Sequence, residues 1–545
     1  MITLPELRRV VKGDVLNDEQ TIQEFSHDAS VFEVKPSFVI YPKDADDLKR
    51  LVLFVSEKQR AGEQVSLTAR SAGTDMSGGP LSESLVLGFT KYFNRIKEVG
   101  SDYAVAEPGV YYRDFEKETL KKNLIMPSYP ASRELCALGG IVANNSGGEK
   151  TLSYGKTERY VLELKAVLAD GNEYTLQPLT VPELSKKMEQ KNFEGEIYRK
   201  LFHLLDSHYD LVRQARPDVS KNSAGYYLWN VWDKRVFDLT QLFVGSQGTL
   251  GLITEATFHL VKRQAHSKLV VIYLKDLEPL VPIIEEVLKY SPTSFESYDD
   301  YSLKLAFHFL PDILKVVGLK NALAMERKFV PDIWHIMTHG FPKLVLLAEF
   351  VGETEAAVDE KLATVTSALQ KFNVRVKATE TEEEAKMYWT IRRESFNLLR
   401  RHVKGKRTAP FIDDFSVRPQ YLPKFLPELH EILGQYKLIY TIAGHVGDGN
   451  FHIIPLMDLT QESERKIIPE LSSKVYDLVL KYHGSITAEH NDGLIRSPYL
   501  EKMYGKEITG LFAEVKKIFD PLGIFNPGKK VGSSLEYAMR HIRRD

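Results

Sequence analysis

Apolar positions early in the chain follow two alternating spacings. "PSFVIYP" at 36–42 is a short apolar run between prolines and reads as a buried strand. The next segment, "DADDLKRLVLFVSEKQRAG", opens acidic and then sets Leu48, Leu51, Val52 and Val55 at helical spacing, with Gly62 as its stop. "VSLTARSAGTDMSGGP" follows as a strand running into a glycine-rich loop. This strand–helix–strand rhythm predicts an α/β or α+β lobe.

Further along, "LGGIVANNSGG" and "GSQGTLG" fall between 86 and 262. Beyond Arg263 the glycine loops cease and strands mix with turns, which predicts a lobe boundary there. The aromatic-rich stretch 301–341 reads as an added helical insertion. "ERKIIPELSSKVYDLVLKYHG" is amphipathic and helical, with Gly484 as its stop. "GKEITGLFAEVKKIFDPLGIFNPGK" reads as a last helix followed by turns at Pro521 and Pro527.

Length adds a second lobe, because 545 residues exceed the ~250–300 that one core supports. Lys+Arg at 72 against Asp+Glu at 74 leaves no net field to attract nucleic acid or an anionic membrane. The single cysteine, Cys136, excludes an internal disulfide and an iron–sulfur cluster, which needs about four thiolates. No apolar run approaches the ~20 residues of a membrane span, and the N-terminus lacks an apolar signal core. The expectation is a cytoplasmic protein without a transmembrane segment or a nucleic-acid partner.

The glycine-rich loops at 72–80, 139–148 and 245–251 carry the first chemical signal. Glycine lets backbone N–H groups turn toward a phosphate, and Ser71, Thr74, Ser77, Asn144, Asn145, Ser146 and Thr249 add polar donors. None of the loops has the G-x-G-x-x-G pattern of a nicotinamide fold or the Lys-Ser/Thr of a P-loop. Together they point to a large phosphate-bearing cofactor.

The second signal is "GHVGDGNFH" at 444–452. Asp-Gly favours a two-residue hairpin turn. With Asp448 and Gly449 at its centre, Gly447 faces Asn450, Val446 faces Phe451 and His445 faces His452. Opposed residues have Cβ atoms about 4.5–5.5 Å apart, close enough for two imidazoles to share one ion. "SITAEHNDG" supplies Glu489 and His490, and three protein ligands with one open position is the pattern of a catalytic metal site. Imidazole and carboxylate suit zinc, manganese or iron. A carboxylate substrate calls for an arginine, and "MYWTIRRESFNLLRR" offers Arg392 and Arg393.

In their order, "ARSAGTDMSGGP", "LGGIVANNSGGEKTLSYGKT", "LFVGSQGTLGLITEATF", "GHVGDGNFH", "TAEHNDGLIR" and "FDPLGIFNPGKK" resemble the FAD-linked oxidases and dehydrogenases, the vanillyl-alcohol-oxidase-like flavoproteins. The likeness runs from about Phe25 to Lys530 and is strongest to the branch with D-lactate dehydrogenase, the glycolate oxidase flavin subunit and D-2-hydroxyglutarate dehydrogenase. It implies an α+β fold. A two-part FAD-binding domain of the PCMH type would span 1–262, divided near 90, with an inserted α+β substrate or cap domain at 263–500. A C-terminal segment, 501–545, would return to complete the FAD domain.

Carried over residue by residue, the resemblance gives the FAD pyrophosphate to the loop of Arg70, Ser71, Gly73, Thr74, Asp75, Met76, Ser77, Gly78 and Gly79. Gly139, Gly140, Asn144, Gly147 and Gly148 would wrap pyrophosphate and flavin. Gly248, Thr249, Gly251 and Ile253 would lie along the adenine–ribose side, and Asn526 would approach the flavin ring. No histidine stands in the first loop, so FAD is expected to be non-covalent. The metal ligands would be His445, His452 and Glu489. His490 would be catalytic, Asn450 a substrate contact and Arg392 the carboxylate clamp.

The implied reaction is oxidation of a D-2-hydroxy acid, D-lactate or similar, to the 2-oxo acid. The metal would acidify the hydroxyl, His490 would take its proton and the flavin the C2 hydride. Phe396 and Ile412 stand where D-2-hydroxyglutarate enzymes carry a Thr and a Lys for the distal carboxylate, which favours a smaller or more apolar acid; Lys404, Lys406 and Arg407 are substitutes nearby. Electrons would leave to a separate acceptor, an iron–sulfur protein, an electron-transfer flavoprotein, a quinone or oxygen, which would hold the protein at the membrane periphery where that acceptor lies there. The alternatives are D-2-hydroxyglutarate dehydrogenase, a flavin subunit of a glycolate-oxidase-like complex, a sugar- or alcohol-type oxidase and an alkylglycerone-phosphate synthase. The intact histidine motif and "TAEH" argue against the last two.

Overall fold

The computed structural model describes residues 2–300, 303–304, 340–403 and 405–544, with side chains left undescribed at 394–402. The helical insertion expected at 301–341 therefore lies almost wholly outside the described residues.

The predicted strand at 36–42 forms as Phe38–Tyr41, and the helix after it as Ala45–Arg60. The Asp44 side chain caps that helix by accepting the Asp47 N–H, and Leu48, Leu51, Val52 and Val55 are fully buried. Phe38–Tyr41 and Leu67–Arg70 both pair parallel with Leu85–Gly88, while Asp14–Leu16 adds an antiparallel edge. A second sheet is antiparallel, in the order Ile96–Val99, Tyr103–Ala106, Leu252–His259, Val161–Val167 and Glu173–Leu176.

The third sheet carries seven antiparallel strands, in the order Arg375–Ala378, His266–Leu274, Leu344–Gly352, Ser294–Asp299, Ile442–His445, Asn450–Ile453 and Phe415–Ser416. Its central strands are apolar on both faces because both are covered. Val270, Ile272 and Leu346 join one core, with the Leu280–Leu288, Glu355–Leu369 and Glu462–Lys481 helices. Val271, Val345 and Leu347 join the other, beneath Tyr388 and Trp389 of the Glu382–His402 helix.

Two helix ends refine the sequence reading. The Glu462–Lys481 helix does not stop on Gly484; the left-handed residue is His483 (φ 55°), and the Gly484 N–H reaches back to the Val479 carbonyl. Gly484 is needed for a different reason, since a Cβ there would lie 2.4 Å from the Ser416 carbonyl oxygen. The last long helix, Leu500–Phe519, is broken at Gly505 (φ 76°). No described helix is long and apolar enough to cross a membrane.

The chain after that helix returns to the first sheet. The Leu67 N–H donates to the Ile524 carbonyl, and the Asn526 N–H to the Leu67 carbonyl. Asn526 is fully buried at φ 41°; its Nδ2 donates to the carbonyls of Gly79 (2.9 Å) and Gln247 (2.7 Å). One amide thus ties the first glycine loop to the third. Asn526→Ala leaves both carbonyls without that donor and puts a less tolerant residue at positive φ, so unfolding in urea should show a loss of about 2–4 kcal/mol. Unchanged stability would mean that the loops do not rely on this tie.

Candidate active site

A cavity of about 620 Å³ is walled by all three glycine loops and by one face of the seven-stranded sheet. From the first loop Ser71, Gly73, Thr74, Asp75, Met76 and Gly79 line it. Arg70, Ser77 and Gly78 do not. Arg70 turns beneath the loop, with its guanidinium 4.9 Å from the Phe25 ring centre and donating to the Phe25 carbonyl. The Asp75 carboxylate accepts the N–H groups of Ser77 (3.1 Å) and Gly79 (2.7 Å), and Asp28 accepts that of Gly78 (3.0 Å). The loop therefore uses three of its own amides to hold its shape, which leaves residues 71–76 to face a ligand. Burial, then the neighbouring Asp75, raises the Asp28 pKa well above the usual carboxylate range, which lessens the negative charge beneath that face.

Gly139, Gly140, Asn144, Gly147 and Gly148 line the cavity from the second loop, and Gly248, Gly251 and Ile253 from the third. Thr249 does not; its hydroxyl is bonded to the Ser246 carbonyl and to Tyr226. Asn526 lies behind the wall. Gly140 and Gly248 line the cavity with room to spare, a Cβ added at either lying 3.5 Å from the nearest side-chain atom, that of Ser71 or Ala69. Such a floor suits a cofactor that needs close backbone approach, as FAD does.

The histidine hairpin forms, with a different turn from the one expected. Ala443 pairs with His452 and His445 with Asn450, while Val446–Asp448 make a 3₁₀ turn closed by Gly449 at φ 64°. Phe451 therefore opposes Gly444 and not Val446. A Cβ on Gly449 would lie 1.8 Å from the Val417 carbonyl oxygen, so this tight approach selects the four-residue loop. The register moves by two residues, which preserves the face. His445 and His452 still meet, with ring centres 5.2 Å apart.

Ligand atoms of His445, His452 and Glu489 all lie within 4.8 Å of one another. His452 Nδ1 is 2.9 Å from the Asp413 carbonyl, to which it donates, so Nε2 keeps its lone pair. Burial, then His490 and His445, pushes the His452 pKa down to about 4, and the ring is neutral at pH 7. His445 Nδ1 is 2.5 Å from Glu296, and its Nε2 is 3.5 Å from Glu489. Burial pulls the His445 pKa down, but Glu296 outweighs it and lifts the pKa to about 9. The two carboxylates that flank the ring, Glu296 at Nδ1 and Glu489 near Nε2, thus favour positive charge there, whether a proton or a metal ion. The residues fit a divalent metal.

Asp414, His452 and His490 form a second group within 4.8 Å, but Asp414 is already saturated. One of its oxygens accepts from the Thr487 hydroxyl and the N–H groups of Ala488, Glu489 and His490, and the other from Asn450. Asn450 is accordingly a brace for Asp414 and does not line the cavity. His490 does, with Nδ1 2.6 Å from Asp413. Burial opposes its charged form, yet Asp413 and Asp414 raise its pKa to about 9.

Both candidate arginines face the cavity. Arg393 is engaged by both oxygens of Glu149, at 2.7 and 2.6 Å. Arg392 lies 3.3 Å from Glu296 through Nη2, and its buried Nε has no hydrogen-bond partner among the described residues. Ile412 is buried in the core, Lys406 pairs with Glu464, and neither they nor Arg407 line the cavity. Lys404 and the Phe396 side chain lie outside the described residues.

Sequence reasoning missed Glu296, Lys221, Asp413 and Asp414. Glu296 in "SFESYD" and the acidic pair in "FIDDF" each interrupt an apolar run, a legible sign of a buried charge. Lys221 carried no such sign. It is fully buried and holds Glu489 at 2.6 Å and Asp448 at 3.2 Å.

Over residues 36–177 the sequence matches the family described as FAD binding domain, and over 263–530 the one described as FAD linked oxidases, C-terminal domain. It is 26% identical over 533 residues to a D-2-hydroxyglutarate dehydrogenase of Pseudomonas putida, covering 95% of this chain and 50% of that protein. The chain thus spans about half the length of that relative. To glycolate oxidase subunit GlcD of Bacillus subtilis it is 27% identical over 513 residues, covering 93% and 91%. The 4-ethylphenol oxidase of Gulosibacter chungangensis superposes with a TM-score of 0.68 at 16% identity, covering 98% and 97%, which shows a shared vanillyl-alcohol-oxidase-like fold.

Lys221→Met would leave the carboxylates of Glu489 and Asp448 buried without their cation. A loss of about 3–5 kcal/mol is expected in chemical unfolding at pH 7. A loss below about 1 kcal/mol would show that the two carboxylates do not need this lysine.

Proposed function

Because the chain belongs to the FAD-linked oxidases, we propose that it oxidises a D-2-hydroxy acid, D-lactate or a similar small acid, to the 2-oxo acid with non-covalent FAD and a divalent metal. One observation carries this reading: a single cavity joins the glycine loops to His445, His452, Glu489, His490 and Arg392. Residues 71–76, Gly139, Gly140, Gly147, Gly148 and Gly248 would hold FAD, which when bound supplies a two-electron acceptor. His445, His452 and Glu489 would hold the metal, which when bound supplies a Lewis acid that acidifies a hydroxyl.

The chain's own side chains do the rest. Arg392 binds the substrate carboxylate; its free Nε and the engagement of Arg393 by Glu149 favour it over its neighbour. His490 takes the hydroxyl proton at Nε2, while Asp413 holds Nδ1 and so fixes the ring. Arg392 and Arg393 are the only lysine or arginine side chains among the described cavity residues, which supports a substrate with one carboxylate over a diacid. Electrons then pass to a separate acceptor, a protein or a quinone.

Protein purified with FAD should show bound-flavin absorbance, lost to the supernatant on denaturation. With an artificial acceptor, D-2-hydroxy acids should turn over and their L-isomers should not. Chelation or His445→Ala should reduce turnover by more than about 100-fold. Activity indifferent to both would remove the metal from the reading, and absence of bound flavin would sink it altogether.

The pH dependence has a set direction. Asp413 favours the imidazolium of His490, so kcat/KM should rise with pH as that ring loses its proton. Asp413→Asn removes the carboxylate and should move the rise about one unit toward acid, with a lower plateau. A profile that stays in place would exclude His490 as the base.

A further inference from the structure

We propose that Glu296 is a positioning residue that holds the metal end and the carboxylate end of the substrate site in one fixed relation; this rests on the reading above. Glu296 sits in the Ser294–Asp299 strand, between Leu344–Gly352 and Ile442–His445, and is 1% exposed. It pairs with Leu347 and therefore points to the sheet face beneath the helix that bears Arg392. One oxygen meets His445 Nδ1 at 2.5 Å and the other Arg392 Nη2 at 3.3 Å.

An apolar residue would serve this face of the fold better, because a buried carboxylate carries a desolvation penalty that only good pairing offsets. What the carboxylate adds is geometry. By accepting the Nδ1–H of His445 it keeps the Nε2 lone pair directed at the metal position. By engaging Nη2 of Arg392 it leaves the buried Nε for a ligand. A 2-hydroxy acid has its hydroxyl and carboxylate on adjacent carbons, so both are gripped together only if metal and guanidinium keep a spacing set to within about 0.5 Å. Glu296 joins the strand that carries one to the helix that carries the other.

The full-length protein loaded with FAD tests this through zinc affinity, read by competition with a chromophoric chelator, and through KM and kcat with the best substrate of the panel. An amide has one acceptor and one donor end, so Glu296→Gln can satisfy His445 or Arg392 and not both. Its zinc affinity and its KM should therefore separate, one staying within about 3-fold of wild type and the other worsening by about 10-fold or more. Glu296→Ala should worsen both, zinc affinity by about 10–100-fold. Ser297→Ala on the same strand, which removes a hydroxyl bonded to the Gly444 carbonyl, should alter stability and neither readout. If Glu296→Gln keeps both zinc affinity and KM within about 2-fold, the proposal is overturned, and that variant decides the matter should Glu296→Ala fail to fold. Wild-type protein that binds no zinc would overturn the metal reading and this proposal together; wild type that binds it while a folded Glu296→Ala binds it equally well overturns the proposal alone.

Discussion

A pleated strand shows alternate residues to the same face, and that constraint decides where the polar groups of the site stand. Glu296 shares its face with Tyr298, which pairs with Ala443; Ala443 pairs in turn with His452 and lies two residues from His445. Of these, Glu296, Ala443, His445 and His452, on three neighbouring strands, line one cavity. The opposite face takes Phe295, Phe451 and Ile453 into the main core. A slip of one residue anywhere in this set would bury the histidines in hydrocarbon and expose the aromatics, so the apolar core enforces the register that the chemistry needs.

The second constraint is charge. Glu296, Glu489, Asp413 and Asp414 are all buried, and each has a positive or donating neighbour: Lys221 pairs with Glu489, Arg496 with Asp413, and imidazoles and backbone amides surround Asp414. Arg392 and His445 flank Glu296. Breaking one such pair strands an uncompensated charge, which is why these residues act as a unit. The network also reaches the glycine loops, since Asn144 donates to the Glu489 carbonyl and accepts from Asn491.

In the loops themselves, glycine supplies room and side chains supply rigidity. Asp28 and Asp75 take amides that a reading of composition alone would assign to phosphate, and Asn526 arrives from the far end of the chain to tie two loops together. Shape is thus set before any ligand enters, which lowers the ordering needed to bind one.

By itself the sequence determined what local physics controls. The helix after the first strand was readable because its cap and its apolar spacing lie within sixteen residues. The glycine loops, the two histidines about an Asp-Gly turn, and Glu489 beside His490 were readable because residue type and short spacing limit their chemistry. The parity of the histidine hairpin was legible too, but its register was not: the close approach of Gly449 to Val417, more than thirty residues away in the chain, selects the longer turn. The partners that tune the site, Lys221, Glu296, Asp413 and Asp414, come from separate strands and loops. A lone Lys or Glu reads as a solvated charge until the fold removes the water around it, and only the tertiary structure decides that, because burial and pairing arise from segments brought together across hundreds of residues.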